Sequence, residues 1–256
     1  YIHTWTYKVF MNSVKSIEEK YRKLSDIDHA LSRPGMWIGS TKPRRDDVYL
    51  LSKDSGFFEI QNIEYNPAFL KIFDEIISNS VDEHRRNPKL SEVRVTINQK
   101  SGTVTIWDNG GIPVIKHSEY DEWVPELIFS NLKAGSNFDD SEERLVAGTN
   151  GVGSTLTNIF SLQFEIRTCD GKNEFEQTFK NNMRERTKAE VRKISGDGYT
   201  EITFKPDLAR FGMETIDDSH VEMMRKRCLD IAACNSKLRV YFNGVERSFT
   251  SFKDYC

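Results

Sequence analysis

The sequence predicts an α+β fold, a two-layer sandwich in which a mixed, mostly antiparallel sheet carries helices on one face. Three observations lead there. Segments of strand period follow one another through short turns between 164 and 204, as antiparallel strands do. A regular alternation of strand and crossover helix, the signature of a doubly wound parallel sheet, is absent. A long amphipathic segment, Pro67 to His84, supplies a helix to lie across the sheet. With 256 residues the chain can bury a sizeable core, in one large domain or two small ones.

Residues 1 to about 20 show no sustained period and are expected to form an arm or a short helix. Ser25 to Leu31 reads as a capped helix, Ser25 accepting at the N-cap and Asp28 standing at the third helical position. Pro34 and Gly35 end it. Lys42 to Asp47 is a charge run that reads as a solvated turn. Phe57 to Ile63, Val93 to Ile97 and Val104 to Trp107 have strand composition. Pro67 suits the first turn of the helix that follows it. Pro125 to Leu132 is a second helix. Gly135 to Gly153 is long for a loop without regular structure, and both a functional and a mobile segment fit it. Leu156 to Phe160 continues as helix. Strands follow at Phe164 to Thr168, Phe175 to Phe179, Ala189 to Ile194 and Thr200 to Phe204. A helix at Asp218 to Ala233 comes next, and Leu238 to Phe242 with Asn243-Gly244 opens a hairpin.

Composition excludes several classes. A net charge of -3 argues against a chain that is basic throughout, leaving a locally basic face open. No apolar run reaches the roughly 18 residues of a bilayer span, and no secretory leader is visible. Cys169, Cys228, Cys234 and Cys256 match no zinc or redox spacing, so four free thiols in a reducing compartment are expected.

Four segments could carry chemistry. Glu75, Asn79 and Asp82 share one stripe of the long helix at i, i+4 and i+7, with Phe69, Phe73, Ile76, Ile77 and Ser80 covering much of the other side. A carboxylate above a carboxamide can hold a water and a divalent cation; a solvated polar stripe fits the same residues. Asp108 ends a strand before Asn109-Gly110-Gly111, either as a plain turn or as an acceptor for an exocyclic amine such as that of adenine. Ala147 to Thr155 spaces glycines ahead of a helix, which suits an anion or a flexible surface loop. It is not a Walker loop. Thr200 brings a hydroxyl to the face shared by Ile202 and Phe204, for a neighbour or for a ligand.

In order and rough spacing these segments resemble the GHKL ATPases, which have the Bergerat nucleotide fold. They are most similar to the ATPase domain of type II DNA topoisomerases. Tyr21 to Ser25, His29 to Leu31 and Arg33 to Ser40 resemble the segment preceding that core, as do Phe69 to Ile77, Val124 to Phe129 and Ile202 to Leu208. The likeness covers about 21–256, and its wording is particularly similar to the large subunit of a T-even-like bacteriophage topoisomerase.

The resemblance implies ATP and Mg2+ as ligands, with Glu75 as the base that activates water and Asn79 as the metal ligand. It implies that Asp108, helped by water and Thr200, receives the adenine amine, and that Ile112 lines the nucleotide site. Asn150, Gly151, Val152, Gly153 and Ser154 would bring amides to the phosphates as part of a lid. Ser136 and Asn137 match positions that touch ribose or phosphate, Arg86 matches a basic residue near the phosphates, and Asp82 supports the pocket. Two departures stand out. Gly110 and Gly111 are adjacent where the family has an intervening residue, and Thr155 stands where the eukaryotic enzymes usually have a lysine.

By the same resemblance, 1–20 is an arm and 21–256 an ATPase domain ending near the start of a transducer domain, whose lysine completes the site. The expected partners are a second copy, joined by an ATP-operated gate, the other topoisomerase subunits or domains, and double-stranded DNA. No membrane is expected, and the location is cytoplasmic, the host cytoplasm if phage-encoded. Another GHKL ATPase of chaperone, mismatch-repair or kinase type, or a nucleotide-responsive dimerisation module with little turnover, are the alternatives.

Overall fold

The computed structural model describes residue 21 and residues 23–52, 55–132, 151–249 and 252–255. The predicted arm, Ser136, Asn137 and Asn150 lie outside them. The described chain opens with helix α1 (Asp26–Ser32), capped by the Ser25 hydroxyl as expected. Strands β1 (Arg44–Leu51) and β2 (Phe58–Tyr65) then pair antiparallel in a small separate sheet. The expectation of a solvated turn at Lys42 to Asp47 is therefore corrected, because the charge run from Arg44 onward is strand. Arg44 to Asp47 pair in register with Tyr65 to Asn62 and keep their heads at the surface, so charge does not oppose the pairing.

Helix α2 (Pro67–Arg86) follows, with Pro67 in its first turn. The Asn66 side chain caps it by accepting from Phe69 N at 3.1 Å. Phe69, Ile72, Phe73, Ile76 and Ile77 are at most 2% exposed, and burying each such side chain contributes about 1.5–3 kcal/mol. The cap is anchored from a distant helix, α5 (Asp218–Cys234), whose buried His220 accepts the Asn66 backbone N–H on Nε2 at 2.8 Å.

The main sheet has nine strands among the described residues. β3 (Glu92–Asn98) and β4 (Thr103–Asp108) form a hairpin before helices α3 (Val124–Ser130) and α4 (Gly153–Ile159). β5 (Ser161–Cys169), β6 (Asn173–Lys180), β7 (Glu185–Arg186), β8 (Glu190–Lys193) and β9 (Tyr199–Pro206) come next. After α5, β10 (Arg239–Phe242) and β11 (Val245–Arg247) finish the sheet, and helix α6 (Phe252–Tyr255) follows. The spatial order is β11-β10-β3-β4-β9-β5-β6-β7, with β8 also on β6. Among the described strands only β10 and β3 pair parallel. Burial alternates along β3, β4, β5 and β9, so one face carries the core and the other is open. Helices α2, α4 and α5 lie on the core side around Phe164, Phe204 and Val240. This is the predicted architecture. Among the described residues no helix is long and apolar enough to cross a membrane. Cys169 and Cys228 are buried free thiols and Cys234 an exposed one.

Candidate functional site

Asp108 is the last residue of β4 and only 7% exposed. In register it stands opposite Thr200 of β9, which stands opposite Thr168 of β5. Three polar side chains thus form one row across three strands, on the covered face. Asp108 Oδ2 accepts from Ser80 Oγ of α2 at 2.6 Å, and Oδ1 from the Gly110 amide at 2.9 Å. Burial pushes the carboxyl up to about 7, against the pull of those two hydrogen bonds, and Glu83 adds a smaller upward push. Thr200 Oγ1 donates to the Gly110 carbonyl at 2.8 Å. The Ile112 amide is held by Thr168 Oγ1 at 3.1 Å. Gly111 is needed here, because a Cβ on it would overlap the Cys169 carbonyl oxygen, while one on Gly110 would press on the Leu90 side chain at 2.7 Å.

The other end of the site lies along α2. Glu75 is partly exposed and forms an ion pair with Lys71 one turn earlier. A Cβ on Gly153 would overlap the Glu75 carboxylate, so the first residue of α4 lies directly against it. A buried hydrogen bond from Thr157 Oγ1 to Ile72 O, 2.9 Å, pins α4 to α2. The first intrahelical bond of α4 runs from Leu156 N to Val152 O, which leaves the Gly153 to Thr155 amides without partners within the helix. Val152 packs on the core, and Gly151 is left-handed at φ 60°. The Ser154 and Thr155 hydroxyls donate instead to α3 carbonyls and its exit, Ile128 O at 3.3 Å and Asn131 O at 3.0 Å. Thr155 is thus a structural tie between helices.

Asn79 lies one turn beyond Glu75, half-buried, and its carboxamide takes no hydrogen bond from the described residues. No group of three or more His, Cys, Asp or Glu side chains able to hold a metal ion occurs among those residues. Asp82 is buried at 3% exposure on the same stripe. Arg86 is exposed at the end of α2, 3.5 Å from Glu83. The described structure thus gathers Glu75, Asn79, Gly153, Asp108, Ile112 and Thr200 around α2 and the ends of β4 and β9.

Two residues of this site escape a reading of the sequence alone. Ser80 sits among the apolar positions of α2 yet reaches Asp108. Thr168 ends the alternation Phe164, Ile166, Thr168 just as Thr200 begins Thr200, Ile202, Phe204. A threonine at the same end of two apolar alternations was a signal for both.

No protein-family model matches the chain. It is 39% identical to DNA topoisomerase 2 of Pisum sativum over 246 residues, 94% of this chain and 17% of that protein. With DNA topoisomerase 2 of Penicillium chrysogenum the identity is 38% over 243 residues, 94% and 15% of the two chains. The ATPase region of Saccharomyces cerevisiae topoisomerase II superposes with a TM-score of 0.89 at 34% identity, covering 92% of this chain and 64% of that one. The ATPase and transducer domains of DNA topoisomerase II from Balamuthia mandrillaris give 0.90 at 36% identity, covering 94% and 63%. The fold and its covered polar row define an ATPase module of the GHKL, or Bergerat, class. Within that class the chain corresponds to the ATPase domain of the type II DNA topoisomerases. It spans 15–17% of the length of the curated relatives named here.

Proposed function

We propose that the chain binds ATP with Mg2+ and hydrolyses it to ADP and phosphate, as the nucleotide-driven module of a type II DNA topoisomerase. One observation carries this reading. A buried carboxylate at a strand end and a partly exposed carboxylate against a helix start are joined by the same helix, α2. Asp108 accepts the amine of adenine, with Thr200 and water beside it. Ile112 lines the base. Glu75, paired with Lys71, takes the proton of the attacking water. Asn79 holds Mg2+, which when bound offsets phosphate charge. Asn150 to Ser154 bring backbone amides to the phosphates, Ser136 and Asn137 touch ribose or phosphate, Arg86 adds positive charge nearby, and Asp82 supports the pocket wall.

In the longer protein, ATP would close a gate between two copies around a DNA duplex, with 1–20 reaching across and a transducer lysine completing the site. The setting is cytoplasmic. The narrower origin, the large subunit of a T-even-like phage enzyme, rests on the wording of the flanking motifs. Calorimetry with a non-hydrolysable ATP analogue tests the core of this reading. Saturable binding of one nucleotide per chain, tighter with Mg2+ than without, is the expected result; no binding at millimolar analogue overturns it.

A further inference from the structure

Thr168 has 0% exposure, and its hydroxyl meets three groups at once. It accepts the Ile112 N–H at 3.1 Å, donates to the Tyr199 carbonyl at 2.9 Å and lies 3.1 Å from Thr200 Oγ1. A hydroxyl has one proton and two lone pairs. With the Thr168 proton on Tyr199 and the Thr200 proton on Gly110, Thr200 is left with both its lone pairs free. It can then act only as an acceptor toward a ligand. Ionised Asp108 is an acceptor as well. The row therefore complements a group that donates, an exocyclic amine or a water held by it.

We propose that Thr168 is a positioning residue of the base site: it ties the Gly110–Ile112 turn to β5, and so holds in place the Gly110 carbonyl that takes the Thr200 proton and leaves Thr200 an acceptor. This deepens the adenine reading of Asp108 and rests on it. The turn is also held at Gly110, by Asp108 and Thr200, and just beyond it at Val114, by Asp170, while Thr168 is the acceptor of the Ile112 amide between them. Of its two adjacent glycines, Gly111 lies against the Cys169 and Asp170 backbone, with no side chain to fill the space if the turn lifts. Removing the Thr168 hydroxyl leaves the Ile112 N–H without its acceptor and loosens the turn that keeps the Gly110 carbonyl on the Thr200 proton.

The test compares ATP with purine riboside triphosphate, which lacks the 6-amino group. Affinities are measured by calorimetry for the wild type, Thr168→Val, Thr168→Ser and Asp108→Asn. Thr168→Val is expected to weaken ATP about tenfold, the scale of one buried hydrogen bond, and to leave the analogue within about twofold. Thr168→Ser restores the discrimination. Equal losses for both nucleotides in Thr168→Val, or no loss at all, would overturn the proposal. Asp108→Asn separates the two layers. If it binds ATP as the wild type does, the adenine reading falls and this proposal with it. If it weakens ATP while Thr168→Val does not, only the role of Thr168 falls. A wild-type measurement guards against a Thr168→Val chain that fails to fold. The Ile112 amide should be protected from hydrogen exchange without nucleotide, and exchange at open-loop rates would overturn the tie.

Discussion

The two ends of the site are built differently. At the base end, Asp108, Thr200, Thr168 and Ser80 are buried and hydrogen-bonded to one another or to backbone, on strands held from both sides. At the phosphate end, Glu75 is partly exposed and joined to a surface lysine, and Asn79 takes no hydrogen bond from the described residues. On the proposed function, this difference would separate recognition from reaction. Recognition is pre-organised, so little ordering is left for the base to impose. The other end leaves Asn79 uncommitted and ties Glu75 to a surface lysine, as suits groups that would accept a cation and a water.

The comparison is broken most sharply at Glu75. Changing Glu75→Ala in the longer enzyme should lower the hydrolysis rate by about 10²–10⁴-fold, the usual contribution of a general base. Nucleotide affinity should stay within about threefold, since base recognition lies elsewhere. Steady-state turnover and equilibrium binding on the same preparation check both halves, and wild-type turnover would remove Glu75 from its role. Gly153→Ala is the next largest. Its new methyl occupies the place of the Glu75 carboxylate, and displacement by about 1 Å can cost roughly a hundredfold in rate. Affinity should again change little. A variant with normal turnover would mean that the reacting carboxylate does not need its present place.

The base end is sharpened by pH. Asp108 is raised to about 7 from an ordinary 3.8. The folded state therefore favours the protonated form. The stability this contributes is fully present below about pH 4 and is lost as pH rises through about 7. Asp108→Asn removes that dependence, so its melting temperature should rise relative to the wild type between pH 5 and pH 8. ATP, which needs the ionised carboxylate, should bind the wild type about tenfold more weakly for each unit below pH 7 and with little change above it. Melts and calorimetry at pH 5, 6, 7 and 8 give both curves. A flat affinity profile would show that Asp108 does not receive the base as an anion.

Much of the fold was legible in the sequence because its signals are periodic. Helix α2 announces itself by an apolar stripe and a proline at its start, and β5, β6 and β9 by alternation. β1 was not legible because its first four residues are charged and its partner belongs to a separate two-stranded sheet. There a strand needs only one packed side, and its charges can point outward. Asp108 and Thr200 could be named as candidates from their places on strands. Ser80 and Thr168 could not be given partners, because their contacts span 28 and 32 residues and depend on register and helix placement. Thr155 likewise looked like a missing phosphate ligand until the α3 exit was seen to occupy it.

Helix α2 has a further consequence, for which changes in length the chain can tolerate. Glu75 and Ser80 lie five residues apart on one continuous helix, about 7.5 Å along its axis. One touches the start of α4 and the other the end of β4. Inserting or deleting a single residue between them would rotate one against the other by about 100°. No side-chain rearrangement restores both contacts after such a turn. Substitutions in this stretch can be absorbed singly, but a change in its length cannot, so it should be as fixed in spacing as loops elsewhere are free to vary.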